Sequence, residues 1–63
     1  MTGPQPIGTQ LQAIADMPDW ELAIGDTVTK IQTGTSILYQ KDADHGEYIA
    51  TDEVEASDNF VIV

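Results

Sequence analysis

The spacing of apolar positions changes along the chain. Residues 1–8, MTGPQPIG, show no period. Pro4 and Pro6 remove backbone donors and favour extended backbone, so this segment is expected to be an arm, with Ile7 as its one sizeable internal apolar side chain. Over residues 9–17, Leu11, Ile14 and Ala15 fall at i, i+3 and i+4, the spacing of one helix face. Thr9-Gln10-Leu11-Gln12 fits a capping box, and Pro18 biases Met17 away from helical angles. The pattern predicts a short helix over 9–17. A helix of that length is not stable alone, so its stripe must lie on one end of a sheet or on a neighbouring chain.

From Trp20 onward the period becomes two. Trp20, Leu22 and Ile24 alternate with Glu21 and Ala23, as in a half-buried strand or extended lead-in. Gly25-Asp26 reads as a turn. Residues 27–32, TVTKIQ, are rich in β-branched side chains and read as a strand. Thr33-Gly34-Thr35 is a tight turn, SILYQ at 36–40 a strand, KDADHG at 41–46 a polar hairpin loop and EYIAT at 47–51 its return strand. Tyr39 and Tyr48 are expected to pair across that hairpin. Residues 52–58 are acidic and fit a loop or a single helical turn. NFVIV at 59–63 is a nearly continuous apolar run, which predicts a closing strand buried on both faces.

Four or five short strands separated by tight turns predict a mainly β fold: a small antiparallel barrel or meander over residues 20–63, preceded by the arm at 1–8 and the helix at 9–17. The stretch Leu22-Ala23-Ile24-Gly25-Asp26-Thr27-Val28 resembles the opening strand of SH3-like barrels, where a Gly-Asp turn precedes a strand. The resemblance covers seven residues and implies an SH3-like barrel. A twisted sheet with the helix on one face is the alternative.

Composition narrows the function classes. At 63 residues the chain is one small domain, and it has no cysteine, so disulfides, thiolate metal sites and cysteine nucleophiles are excluded. Two lysines against eleven carboxylates give a net charge of −9, which disfavours nucleic-acid binding because few phosphates could be neutralised. No apolar run approaches a membrane span, and no basic segment leads an apolar stretch as in a secretory signal. High net charge with low hydrophobicity marks disorder, but 41% of the chain is apolar and its β-branched residues are patterned. An acidic, lysine-poor, cysteine-free and threonine-rich composition resembles that of proteins from salt-loving archaea and their viruses. In about 1 M salt the screening length falls to ~3 Å and most of the self-repulsion disappears.

Candidate chemistry is sparse. Asp42, Asp44, Ile49 and Glu53 match positions of a calcium-binding loop. Glu47, however, occupies the position that needs glycine, and Gly46 comes one place early. A solvated hairpin tip is the expected reading, and no metal or cofactor is expected. His45 is the only histidine, the glycines are isolated, and so short a chain has little room for an enclosed substrate pocket. No catalytic residue is expected. Trp20, at the hinge between helix and sheet, is either core or an interface anchor. A chain of this size has marginal stability and is commonly completed by a metal, a disulfide or a partner. The expected partner is a protein or a second copy, with Ile7, Leu11, Ile14 and Trp20 as interface residues. No membrane or small-molecule substrate is expected. The sequence is thus expected to encode a non-enzymatic structural or assembly protein that docks on a larger complex. Its most concrete form is a virion component, a capsid decoration or head–tail accessory protein of a haloarchaeal virus, located in the virion or the host cytoplasm. The alternative is a free acidic protein-binding module or DNA mimic of a halophilic cell.

Overall fold

The computed structural model describes residues 1–42 and 45–63. Its strands in chain order are β1 (Gln10–Ala13), β2 (Thr27–Thr33), β3 (Ser36–Lys41), β4 (Tyr48–Ala50) and β5 (Phe60–Ile62), with one short helix, α1 (Thr51–Ala56), between β4 and β5. They form a single antiparallel sheet in the order β4-β3-β2-β1-β5. The sheet is open: β5 returns to β1 and leaves β4 at the opposite edge. Among the described residues no helix is long and apolar enough to cross a membrane.

The expected helix over 9–17 is absent, and β1 stands there. Leu11 and Ala13 are buried while Gln10 and Gln12 are exposed, the alternation of a strand. Nine residues gain little from closing their own helical turns. In the sheet their backbone groups bond on both sides, to β2 through Leu11↔Val28 and to β5 through Leu11↔Ile62. The sheet therefore begins at Gln10.

Between β1 and β2 the expected strand over 20–24 is also absent. Pro18–Trp20 forms a 3-10 turn that closes in Glu21 at φ 56°, and Met17 and Leu22 exchange backbone hydrogen bonds of 2.8 and 3.1 Å. This small loop buries Leu22 and leaves Ile24 exposed. The Gly25-Asp26 turn is present. Gly25 takes φ 94°, and the Asp26 carboxylate accepts the Ala23 N–H at 2.9 Å. β2 starts directly after it.

The β2–β3 hairpin has the expected turn, with Gly34 at φ 63°. In the β3–β4 connection Gly46 takes φ 92°, and a Cβ there would collide with the Lys41 carbonyl oxygen. This is the sequence's reason for glycine one place before Glu47. The acidic stretch after β4 takes the helical alternative. Asp52 and Glu53 sit in the first turn of α1, where the helix dipole favours negative charge, and Val54 is fully buried beneath it. Too short to persist alone, α1 is held by packing on β3 and β4 and by the Thr51 hydroxyl donating to the Ile37 carbonyl at 2.6 Å.

The core comprises Leu11, Ala13, Leu22, Val28, Tyr39, Ile49, Val54 and Phe60. All lie on the sheet face that α1 covers or in the segments around it. Burial of NFVIV on both faces does not occur. Phe60 enters the core, whereas Val61, Ile62 and Val63 remain exposed, because β5 is an edge strand with β1 as its only neighbour.

Candidate functional site

The register divides the strand residues into two faces. Leu11, Val28, Lys30, Tyr39, Ile49 and Phe60 point inward, toward α1 and the core. Their strand neighbours point the other way, where most are partly or fully exposed and Gln40 is buried, its side-chain amide donating to the Gly46 carbonyl of the β3–β4 connection. The outward set is Gln10 and Gln12 from β1, Thr27, Thr29, Ile31 and Thr33 from β2, and Ser36, Leu38 and Gln40 from β3. Tyr48 and Ala50 from β4 and Val61 from β5 complete it. None of these residues is charged. Only Lys30 and Lys41 carry charge within the strands, and both sit on the inward register. Every carboxylate among the described residues lies in a turn, a connection or α1. A chain of net charge −9 thus presents one neutral face, rich in threonine and glutamine at its margins, with Ile31 and Leu38 paired side by side at its centre.

The inward face holds the second notable arrangement. Lys30 and Glu55 are both buried, with side chains 9% and 11% exposed, and their charged atoms meet at 2.8 Å. The same Glu55 oxygen accepts the Tyr39 hydroxyl at 3.0 Å and the Gln5 backbone N–H at 2.9 Å. Lys30 also donates to the Gln5 carbonyl and lies 5.8 Å from the Tyr39 ring centroid. Burial alone would raise the Glu55 pKa. Lys30, the Gln5 N–H and the Tyr39 hydroxyl outweigh it, so the carboxyl titrates below its ordinary value. Tyr39 moves the other way: burial, reinforced by Glu55, raises its pKa and keeps it a proton donor. Among the described residues no buried side-chain nitrogen or oxygen lacks a partner. The arrangement acts as a structural clasp. It draws the arm onto the sheet, aided by Gly3 donating to the Glu55 carbonyl at 3.2 Å and Gly8 to the Lys30 carbonyl at 2.8 Å. Residues 1–8 are therefore docked through backbone groups, while the Ile7 side chain stays exposed.

The expected interface residues differ in exposure. Leu11 is completely buried and has no surface to offer; Ile7 and Ile14 are about half exposed. Trp20 is partly buried, packs against the core and stacks on Phe60 at 6.0 Å between ring centroids. Tyr39 and Tyr48 are not partners across the hairpin. Tyr39 faces Ile49 and is fully buried, whereas Tyr48 faces Gln40 on the outward side. Of the residues matching a calcium loop, Asp44 lies outside the described residues. Ile49 is in the core and Glu53 is carried by α1. Among the described residues no group of three or more potential metal ligands comes together. Comparison of the chain with protein-family models, with curated proteins and with solved structures found no match.

Proposed function

We propose that the chain is a non-enzymatic assembly subunit that docks on a larger protein complex through its outward sheet face. The observation that carries this reading is the absence of charge from that face in a chain of net charge −9. Burying ionised groups is costly unless each is paired, and interface centres are depleted of charge. A neutral patch bordered by carboxylates suits contact with protein and discourages contact elsewhere. Size agrees: about 800 Å² per partner is a standard interface, roughly a fifth of this molecule's 3803 Å² surface. The strand order, with β5 returning beside β1, further supports reading the sheet as a small SH3-like barrel that opens between β4 and β5.

The same reading places the protein in concentrated salt, as a virion component of a haloarchaeal virus, either a capsid decoration or a head–tail accessory protein. The support is compositional. Carboxylates occupy the turns and α1, and only two lysines oppose them, both engaged: Lys30 by Glu55, and Lys41 by Asp26 at 3.4 Å and the Glu21 carbonyl at 2.9 Å.

A charge placed at the centre of the neutral face tests the docking. Leu38→Lys changes a partly exposed outward residue and is expected to leave circular dichroism and thermal midpoint near those of the parent protein. Tagged parent protein should co-sediment with particles from the source culture, and the variant should fall at least tenfold, because an unpaired charge buried at an interface is strongly unfavourable. Equal sedimentation of a folded Leu38→Lys protein would refute this use of the face.

A further inference from the structure

The 3-10 turn Pro18–Trp20 and the segment running from α1 into β5 enclose an open cleft of about 330 Å³. Its walls are Met17, Asp19 and Trp20 on one side and Glu53, Ser57 and Asn59 on the other. The two carboxylates come from segments more than thirty residues apart, and the fold brings them to one cavity beside the protein's single tryptophan. Phe60 stacks on the indole at an interplanar angle of 26°, which fixes that wall. The charge of the cleft is not balanced from within. Lys30 is committed to Glu55, Lys41 to Asp26 and the Met1 amine to Asp58. Among the described residues neither Asp19 nor Glu53 forms an ion pair.

We infer that this cleft binds the side chain of a lysine or arginine presented by a protein partner. The apolar stem of such a side chain would lie along Met17 and the indole, and its charged end would meet Asp19 and Glu53. Long cationic side chains divide in this way between apolar and polar surroundings, and an aromatic ring beside a cation adds attraction. Ser57 and Asn59 supply further acceptors at the rim for a guanidinium or ammonium group. The inference is independent of the outward sheet face, which belongs to other residues and is tested by other variants.

Because Trp20 is the only tryptophan, its fluorescence reports on the cleft directly. The purified protein, in the lowest salt at which it is folded, is titrated with N-acetyl-lysine methylamide, N-acetyl-arginine methylamide and the uncharged N-acetyl-norleucine methylamide. Saturable changes are expected for the two cations at millimolar concentration and not for norleucine. Asp19→Asn combined with Glu53→Gln should weaken the response roughly tenfold, as the loss of two exposed charge contacts implies. Asp42→Asn combined with Glu47→Gln removes the same charge elsewhere and should leave the response unchanged. Circular dichroism establishes that both double variants are folded. No saturable response, an equal response to norleucine, an undiminished response in the cleft variant, or an equal loss in the control variant would each overturn the assignment.

Discussion

Replacing Glu55 with alanine is expected to remove a large share of the protein's stability. The substitution leaves the Lys30 ammonium buried without its counter-charge and strips the Tyr39 hydroxyl and the Gln5 N–H of their acceptor. Removing one member of a buried ion pair costs about 3–5 kcal/mol. A chain of this length has a total stability of roughly 3–9 kcal/mol, so the loss is a third of the whole or more. Urea or thermal denaturation followed by circular dichroism measures it. Lys30→Met with Glu55→Leu should recover part of the stability, since the pair is removed together. The recovery should be incomplete because the tyrosine and the arm still lose their acceptor.

The same clasp has a pH signature. The folded-state pKa of Glu55 is depressed. Its stabilisation is therefore fully present above the ordinary carboxylate value of 4.5 and is lost as pH falls through the folded value. The stability difference between the parent protein and Glu55→Gln should be flat above about pH 5 and shrink in more acid solution. Taking the difference matters because acid also relieves repulsion among the surface carboxylates, which acts on both proteins alike. Tyr39, with its raised value, contributes at every pH below the ordinary phenol range.

The second large effect concerns salt. Dialysis from molar potassium chloride into dilute buffer is expected to abolish the strand signal in circular dichroism, and returning the salt should restore it. The described carboxylates crowd into the turns, the connections and α1, and the folded state brings them closer than the unfolded chain does. At about 1 M salt the Debye length is ~3 Å, against ~30 Å at 0.01 M, so repulsion across a molecule 29 × 23 × 19 Å in extent is removed or restored as a whole. Full folding in dilute buffer would contradict the proposed saline setting and the virion assignment that rests on it.

Several elements were legible in the residues themselves. β-branched alternation in TVTKIQ and SILYQ marked β2 and β3, and Gly34 marked the turn between them. β1 fits two periods: Leu11, Ile14 and Ala15 satisfy a helical one, while Gln10 to Ala13 also satisfy that of a strand. Only the partners β2 and β5 decide between the two. NFVIV carries a related ambiguity: an apolar run holds no information on whether its strand is central or at an edge.

Function was less legible than fold. Nothing in TDEVEA distinguishes Glu55 from the acids around it. The available hint was Lys30, a cation sharing the inward register with Val28, which requires a buried counter-charge somewhere in the chain. The neutral outward face was visible in part. The stretches that form strands contain no acid, but the face itself exists only once the register pairs Ile31 with Leu38. The cleft beside Trp20 was invisible, since it joins Asp19 to Glu53 through tertiary structure alone.

Site-specific photo-crosslinking tests the docking face most directly. Benzoylphenylalanine is introduced at position 38, at the centre of the outward face, and separately at position 24, an exposed residue in the β1–β2 connection. Each protein is irradiated in the native cell. One discrete adduct with another protein of the assembly is expected from position 38 and none from position 24. Adducts from position 24 with none from position 38 would contradict it.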